Sequence, residues 1–193
     1  MHALSEPFER FAKIFAEARA VQPKDANQLW LATVGETGFP EVRVVLLKDF
    51  DTSGFVFFTN HTSRKGRALI AEQKAGMNFY WPALDQQVRC EGTVAQVSAA
   101  ESDAYFATRA RLSQLGAWAS HQSQPLKSRE ELEARLADID RKYPTTVPRP
   151  PHWGGFRLAP VRMEFWKAHP NRLHWREEYV REGSGWHHQW LNP

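Results

Sequence analysis

The opening segment of the chain carries apolar side chains at helical spacing. Phe8, Phe11 and Phe15 recur every three to four positions, which predicts an amphipathic helix over residues 5–20. Serine is a residue type that caps helix N-termini, so we expect Ser5 to cap this helix.

Short apolar runs separated by turn sequences predict β-strands along much of the remaining chain. Two of these turns, GETGF and KDFDTSG, are tight enough for an antiparallel meander. Within residues 88–95, small or apolar side chains alternate with wetter ones, the pattern of a strand with one wetter face. The predicted strands are residues 29–34, 40–47, 55–59, 77–81, 86–98, 161–166, 172–180 and 185–191.

Helices are predicted in two places between these strands. Residues 63–73 fit a short helix with Leu69 and Ile70 turned inward. Two capping boxes, SAAE at 98–101 and SREE at 128–131, open two longer helical segments. The proline-rich stretch VPRPPHWGG closes the helical part, because no helix continues through it.

Many short antiparallel strands with inserted helices predict a mainly β, α+β fold. We expect one closed or partly closed barrel with the helices packed outside. The length of 193 residues suits a single domain over 1–193, with an N-terminal helical segment at 1–28 and C-terminal strands at 160–193.

Composition adds few constraints to this picture. A formal charge of +3 is weak support for a nucleic-acid partner, and no apolar run reaches the ~18 residues of a membrane span. Cys90 is the single cysteine, so no intramolecular disulfide forms, and we interpret it as a small apolar strand residue. Without a signal peptide pattern at the start, we expect a cytoplasmic protein, and we predict no metal site.

Cations and hydrogen-bonding side chains concentrate in the stretch TNHTSRKGR at residues 59–67. It follows a predicted buried strand and opens a predicted helix, whose free N–H groups favour an anion such as phosphate. Ser63, Arg64 and Lys65 would strengthen such a site through charge-assisted bonds. A solvated helix start with ordinary surface cations explains the same residues, and the glycine spacing of a P-loop is missing.

Two further cationic clusters admit similar alternatives. Tyr105 and Arg109 are four residues apart on a predicted helix, near Ser113, so they suit either a second anion or pairing with nearby carboxylates. In the third cluster, Arg172 and His174 would share one face of a predicted strand with a second arginine. Burying such a face is costly without an acceptor-rich ligand, so the cluster indicates either a ligand site or a strand face exposed to solvent.

Together these segments resemble the pyridoxamine 5′-phosphate oxidases, the FMN-dependent enzymes of vitamin B6 metabolism. The similarity covers nearly everything from about residue 29 to the C-terminus, in family order. The matching stretches are RVVLLKDFDTSGFVFFTN, SRKGR, FYWPALDQQVRCEG, VSAAESDAYFATRARLSQLGAWASHQSQPL, VPRPPHWGGFRL, EFW and RLHWR.

The resemblance implies an FMN-binding split β-barrel that forms a homodimer, with FMN at the subunit interface and the C-terminal strands completing the active site. It also implies that two of the cofactor residues, Gln122 and Ser123, reach FMN from the other subunit. The cofactor-binding positions it implies are Arg43, Val44, Val45, Leu46, Leu47, Lys48, Phe58, Thr59, Ser63, Arg64, Lys65, Gln87, Gln122, Ser123, Trp166 and Arg176.

The same resemblance implies a substrate site and a reaction. Phosphorylated B6 vitamers would be oxidised to pyridoxal 5′-phosphate, with hydride passing to FMN and dioxygen yielding hydrogen peroxide. Arg172 and His174 would embrace the pyridine ring as catalytic residues, and His174 would also assist deprotonation. The implied substrate-binding residues are Lys48, Tyr105, Arg109, Ser113, Arg172 and His174.

This chain departs from the usual family pattern in four places. Trp175 stands where an acidic residue is usual, Trp190 where arginine is usual, and Ala110 where proline is usual. The chain also starts late, so we expect a lid over the substrate to be shorter than in some members.

Other functions remain open from the sequence. One is the related flavin oxidase of phenazine biosynthesis, which has the same fold. Another is a non-catalytic FMN- or pyridoxal phosphate-binding protein. Tyr105, Arg109 and Ser113 favour a phosphorylated substrate, whereas a nucleic-acid binder would show a continuous basic stripe.

The two unusual tryptophans generate a testable prediction, namely that an aromatic contact has replaced an ion pair. Trp175→Asp and Trp190→Arg should each reduce stability and activity, because each leaves one tryptophan without its partner. The double variant should be milder than either single variant, as measured by thermal unfolding and turnover. Additive losses would contradict the idea.

Overall fold

A curled antiparallel sheet and five α-helices make up the computed structural model, which describes residues 6–193. The helices are α1 Glu6–Val21, α2 Arg64–Glu72, α3 Ala99–Ala107, α4 Arg111–Ala119 and α5 Arg129–Lys142. The strands are β1 Gln28–Val34, β2 Pro40–Leu46, β3 Asp49–Asp51, β4 Gly54–Asn60, β5 Lys74–Trp81, β6 Gln86–Gln96, β7 Trp153–Lys167, β8 Trp175–Glu182 and β9 Gly185–Trp190. Two short 3-10 turns lie at Pro82–Leu84 and Pro170–Arg172.

The sheet runs in the order β2-β1-β5-β6-β7-β4-β3, and all its pairings are antiparallel. Strand β8 pairs with the second half of β7, and β9 pairs with β8. Residues of β2 and β4 come into contact although the two strands are far apart in this order, so the sheet curls towards closure. This architecture confirms the predicted partly closed barrel of the α+β class.

Helix α1 packs an aromatic stripe into the core of the sheet. Phe8 and Phe11 are fully buried, and the Phe11 ring lies 4.9 Å from that of Phe55 and 5.0 Å from that of Phe79, both edge-on. Burying each such ring contributes about 2–3 kcal/mol. The predicted helix is confirmed, whereas Ser5 and its cap lie outside the described residues. No helix within residues 6–193 is long and apolar enough to cross a membrane.

The alternation predicted within residues 88–95 is confirmed in β6, where positions 88, 90, 92 and 94 are buried and those between them are exposed. Cys90 is one of the buried residues, and burial raises the pKa of its thiol. It therefore packs as the small apolar residue that the sequence predicts.

Two stretches that the sequence assigned to connections contain strand residues. The supposed turn KDFDTSG contains the short strand β3, which pairs with the start of β4. Strand β7 begins at Trp153, eight residues before the predicted start, so the glycines of WGG are strand residues. They escaped the pattern because a glycine pair after prolines usually signals a loop.

The strand predicted at 172–180 starts at Trp175 in the structure, three residues later than predicted. Arg172 closes a 3-10 turn, and Asn171 and Arg172 both have positive φ values, of 59° and 62°. Backbone in this left-handed region cannot continue a strand. The prediction that Arg172 and His174 share a strand face was therefore wrong, and β8 starts only at Trp175.

The helical segments needed three corrections. Leu69 of α2 is buried as predicted, but Ile70 is 45 % exposed. Helix α3 ends at Ala107, so Arg109 lies in a short connection rather than on a helix face with Tyr105. Helix α4 was not predicted at all, since its N-cap Ala110 makes no side-chain cap.

The two unusual tryptophans lie in contact at the sheet edge. The rings of Trp175 and Trp190 have centroids 5.9 Å apart at an interplanar angle of 62°, an edge-on arrangement. The aromatic contact proposed from the sequence is therefore present, and it joins the start of β8 to the end of β9.

The junction of β6 and β7 leads to a stability prediction. The register shifts between Glu91 and Gly92, and a Cβ on Gly92 would lie 2.2 Å from the carbonyl oxygen of Ala159. We expect Gly92→Ala to destabilise the protein by about 3 kcal/mol, because backbone rather than a flexible side chain must move. Urea unfolding measures this loss.

Gly116→Ala is the matched control, since a Cβ there meets nothing within 4 Å and the residue is helical. It should be neutral or stabilising by up to ~1 kcal/mol. Equal losses in both variants would show that the close approach at Gly92 is unimportant.

Candidate active site

The end of β4 is shaped to begin helix α2. The Oγ of Ser63 accepts a hydrogen bond from the N–H of Gly66 at 3.2 Å and donates to the carbonyl of Asn60 at 2.7 Å. Ser63 is fully buried, so its hydroxyl holds the turn together. The FMN contact that the resemblance implies for Ser63 stays a prediction beside this structural role at the helix start.

The two cations of this turn, Arg64 and Lys65, are held in place by neighbouring acceptors. The Nζ of Lys65 donates to Thr59 at 3.1 Å and to Gln122 at 3.0 Å. Arg64 forms an ion pair with Glu41, and its backbone N–H donates to the Oγ of Ser123 at 3.3 Å.

Burial, together with the smaller effect of the positive charge of Arg43, lowers the pKa of Lys65 to about 8. Arg43 itself donates to the carbonyl of Leu31 at 3.0 Å and to Thr33 at 2.8 Å, and it pairs with Glu41. Burial lowers its pKa as well. Positive charge at this end of β4 therefore exceeds what the surrounding acceptors compensate.

A cavity of about 660 Å³, here called the cationic cavity, opens beside these residues. Its lining, all within the described part of the chain, includes three cations, Lys48, Lys65 and Arg109, and no carboxylate. It is lined by Val44, Val45, Leu46, Lys48, Phe58, Thr59, Asn60, Lys65, Tyr105, Arg109, Ala110, Ser113, Gly116, Ala117, Ser120, Gln122 and Trp153. Its size and charge suit a small anionic ligand.

Arg109 is the least compensated of the three cations. Its Nη1 is buried and has no hydrogen-bond partner among residues 6–193, and its guanidinium lies 4.7 Å from the Trp153 ring centroid. Burial lowers its pKa. The two nearby carboxylates that could have paired with it form ion pairs with other arginines, Glu101 with Arg157 and Asp103 with Arg149. An unpaired buried guanidinium N–H is costly, so this atom calls for an anionic ligand.

A second group of predicted residues lies on the sheet face formed by β5, β6, β7 and β8. Gln87 and Trp166 are cross-strand partners, and they line a separate cavity of about 440 Å³ with Trp30, Asn78 and Tyr80. We call this the sheet-face cavity. Its aromatic walls suit a planar ligand.

The residues after β7 border this second group. The His174 ring lies 4.7 Å from the Trp166 ring, and Arg176 is the cross-strand partner of Trp166. His174 accepts a hydrogen bond at Nδ1 from the backbone N–H of His169, at 3.3 Å. Arg172 lies before them in the chain and has left-handed backbone. This conformation destabilises the folded state by of order 1–3 kcal/mol.

The 21 predicted site residues thus fall into three sets. Those in the cationic cavity are Val44, Val45, Leu46, Lys48, Phe58, Thr59, Lys65, Tyr105, Arg109, Ser113 and Gln122. Gln87 and Trp166 line the sheet-face cavity. The remaining eight line neither cavity, and they are Arg43, Leu47, Ser63, Arg64, Ser123, Arg172, His174 and Arg176. Leu47 turns its side chain into the core.

Several cavity residues escaped the sequence analysis. Trp153 is the main one, because its ring stacks on Phe58 at 5.4 Å and supports Arg109. The WGG motif marked its position without indicating its role. Gly116, Ala117 and Ser120 lie on α4 or at its C-cap, a helix that was not predicted, and Asn60 ends β4 within the TNHTSRKGR stretch without having been named as a site residue.

The chain matches known protein families over most of its length. Residues 14–143 match the family model described as pyridoxamine 5′-phosphate oxidase, and residues 153–193 match the pyridoxine 5′-phosphate oxidase C-terminal dimerisation region. The chain belongs to the pyridoxamine 5′-phosphate oxidase family.

Individual relatives agree with this assignment. A pyridoxine/pyridoxamine 5′-phosphate oxidase of Myxococcus xanthus strain DK1622 is 57% identical over 189 residues, covering 97% of this chain and 92% of the relative. The enzyme of the same name from Bordetella avium strain 197N is 52% identical, covering 99% and 91%. Among solved structures, PhzG from Burkholderia lata 383, in complex with tetrahydrophenazine-1-carboxylic acid, superposes with a TM-score of 0.92 at 34% identity, covering 100% of this chain and 95% of PhzG.

The environment of Lys65 predicts a pH dependence of stability. Above pH 8 the folded protein releases the Lys65 proton, whereas the unfolded chain keeps it until about 10.5. Between these values the unfolded state binds more protons, so the free energy of unfolding rises with pH. Relative to Lys65→Met, the wild-type protein should gain up to about 3 kcal/mol from pH 7 to 10.5.

Urea unfolding of both proteins across this pH range measures the difference between their free energies of unfolding. The contributions of all other titrating groups cancel in that difference. A constant difference would mean that Lys65 titrates as an ordinary exposed lysine.

Proposed function

We propose that the protein oxidises pyridoxamine 5′-phosphate and pyridoxine 5′-phosphate to pyridoxal 5′-phosphate, using FMN as cofactor and dioxygen as electron acceptor. Family membership and two relatives named for this activity support the proposal. The observation that carries it is the buried Nη1 of Arg109 in the cationic cavity, which has no hydrogen-bond partner among residues 6–193.

A phosphate monoester fits the set of donors around Arg109. Lys48 and Arg109 supply charge, while Tyr105 and Ser113 supply hydroxyl groups from the same cavity wall. Three phosphate oxygens would satisfy the unpaired guanidinium N–H and accept charge-assisted bonds. A ligand without an anionic acceptor group would leave this buried donor unpaired, so the cavity discriminates against it.

The residues also fit FMN. Lys65 and the start of α2, next to Arg64 with its partner Glu41, form a second cationic group for its phosphate, while the apolar side chains of Val44 and Leu46 line the same cavity as Lys65. When bound, FMN supplies the redox chemistry, taking a hydride from the 4′ carbon of the substrate and passing two electrons to dioxygen to give hydrogen peroxide. The protein's own residues bind, orient and shield the reactants.

His174 is suited to hold the substrate rather than to abstract its proton. Because Nδ1 accepts the N–H of His169, the neutral ring carries its proton on Nε2 and offers it as a donor. This favours the holding role over the deprotonating role that the resemblance implied. Arg172, fixed in its 3-10 turn, would place its charge against the pyridine ring from the same side.

We infer that two copies of the chain complete one site, with FMN at their interface. The match of residues 153–193 to a dimerisation region supports a homodimer. Strand β7 runs from Gly154, which pairs with Thr59 beside the cationic cavity, to Trp166 in the sheet-face cavity. This is roughly 40 Å of strand, so the two residue groups of a single chain are ill-placed to share one ligand.

The outer face of β2 supports the same inference. Strand β2 is an edge of the sheet, yet Val42, Val44 and Leu46 are 61, 50 and 41 % exposed. Exposed apolar rows on edge strands usually mark contact surfaces. An isologous two-fold contact there would bring one chain's cationic cavity towards its partner's sheet face.

A second candidate is oxidation of a phenazine precursor, because the similar structure of PhzG contains tetrahydrophenazine-1-carboxylic acid. The single carboxylate of such a ligand would also be attracted to the cationic cavity. It offers fewer acceptor oxygens than phosphate to the cluster around Arg109, and for this reason we rank it second.

The decisive experiment is anaerobic reduction of the FMN-loaded protein. We expect pyridoxamine 5′-phosphate to bleach the flavin absorption, and air to restore it with formation of the aldehyde. Unphosphorylated pyridoxamine should bleach it far more slowly. Bleaching by tetrahydrophenazine-1-carboxylic acid alone would favour the second candidate. No bleaching by either compound would indicate a binding protein.

Arg172→Ala tests the predicted catalytic role in the same assay. It should retain FMN but lose most of the bleaching rate, because the pyridine ring is no longer held. Arg181→Ala, an arginine on β8 that packs against Trp186, is the control and should bleach normally. Normal turnover by Arg172→Ala would refute the role.

A further inference from the structure

Glu164 on β7 is a buried carboxylate enclosed by two arginines. Only 4 % of the residue is exposed. Its Oε1 accepts from Nε of Arg176 at 2.8 Å and its Oε2 from Nη2 of Arg176 at 3.2 Å, a two-pronged ion pair. Arg89 donates to Oε2 from the opposite side. Burial alone would raise the pKa of Glu164, but the bonds from Arg176 and Arg89 outweigh it and hold that pKa low.

The carboxylate leaves Arg176 almost no freedom. A guanidinium has five N–H donors. Two of those of Arg176 go to Glu164, and a third goes to the carbonyl of Asn192 at 2.9 Å. Two N–H groups therefore have no partner within the described residues and remain for a ligand. The other three N–H groups hold the side chain in place.

Arg176 is fixed beside the sheet-face cavity. It is the cross-strand partner of Trp166, which is in turn the partner of Gln87. Glu164 lies two residues before Trp166 on β7, so it shares the same face of the sheet. Nothing in the family resemblance gave Glu164 a role, because a carboxylate is not expected to contact an anionic cofactor.

We propose that Glu164 is a positioning residue that fixes the Arg176 guanidinium for contact with the flavin. This inference rests on the proposed function, since it takes one FMN, bound between two copies of the chain, to contact the cationic cavity of one copy and the sheet-face cavity of the other. A fixed guanidinium binds more tightly than a mobile one, because its rotamer entropy is lost on folding rather than on binding. Glu164 would therefore raise FMN affinity without touching FMN.

A neighbouring residue provides a matched control. Glu178 on β8 is the cross-strand partner of Glu164 and is 6 % exposed. It too contacts an arginine and a second side chain, because it forms an ion pair with Arg162 at 3.4 Å and accepts a hydrogen bond from Gln189 at 2.7 Å. Neither of these two partners lines the sheet-face cavity. Replacing either glutamate by glutamine removes one buried charge from the same sheet face, but only one replacement releases Arg176.

The experiment measures FMN affinity by quenching of flavin fluorescence on titration of the flavin-stripped protein. We expect Glu164→Gln to weaken FMN binding about tenfold, the usual effect of losing a charge-assisted bond, and Glu178→Gln to change it by less than about twofold. The visible spectrum of bound flavin should shift alike in Glu164→Gln and Arg176→Ala, and stay unchanged in Glu178→Gln.

A double-mutant cycle separates positioning from general stability. In the Arg176→Ala background, Glu164→Gln should cause no further loss of FMN affinity, because its effect acts through Arg176. Equal effects of the two glutamine variants, or additive losses in the cycle, would overturn the proposal. If Glu164→Gln fails to fold, Glu164→Asp keeps the charge but shortens the reach to Arg176, and unchanged affinity in that variant would overturn it too.

Failure of this inference differs from failure of the proposed function. If the wild-type protein binds no FMN, the function is wrong and the inference falls with it. If the wild-type protein binds FMN and is bleached by pyridoxamine 5′-phosphate, while Glu164→Gln binds FMN equally well, only the positioning role is wrong.

Discussion

Strand β7 is the constraint on which both halves of the site depend. Its first part, from Trp153 to Leu158, pairs with β4, and its last part, from Arg162 to Lys167, pairs with β8, while β6 lines its other edge along both. The register of one strand thereby places the cations at the end of β4 and the arginine on β8. A slip of one residue would turn both sets of side chains to the wrong face.

The glycines at the start of β7 make that register possible. A Cβ on Gly155 would lie 2.7 Å from the Phe58 ring, and one on Gly154 would lie 2.8 Å from the His61 ring. The strand therefore approaches the site wall as closely as a backbone can. The sequence predicted a loop at these glycines. They are required by the close approach to Phe58 and His61, at the end of β4 almost 100 residues earlier, and no local pattern shows that contact.

Local chemistry explains which features were predictable. The capping serines Ser98 and Ser128 accept from the N–H groups of Glu101 and Glu131, as their spacing predicts, and the alternation within β6 matches its burial throughout. Such features depend on a few neighbouring residues. The start of β8 was mispredicted because nothing in NRLHW shows that Asn171 and Arg172 adopt left-handed backbone.

The candidate site shows the same division between local and distant information. Its cations were predictable, since clustered Arg and Lys are visible in a sequence and the resemblance assigned them. Their acceptors were not, because Glu41 reaches Arg64 across 23 residues and Glu164 reaches Arg89 across 75. Whether a cation is free for a ligand depends on these distant carboxylates. Arg109 is uncompensated only because α3 ends early and its nearby carboxylates pair elsewhere.

Two of the predicted site residues have left-handed backbone. Of the non-glycine residues between 6 and 193, five have positive φ, and two of them, Ser123 and Arg172, are predicted site residues. Each such conformation costs of order 1–3 kcal/mol, so the fold must hold it by other contacts. Ser123 is held through its bond from the Arg64 N–H, and the turn at Arg172 by the bond from the Leu173 N–H to Pro170 at 3.3 Å. Gln73, Asp85 and Asn171 adopt the same backbone outside the predicted site, and Gln73 and Asp85 do so as ordinary C-caps, so a positive φ marks a turn that the fold holds and becomes a sign of function only together with the charges beside it.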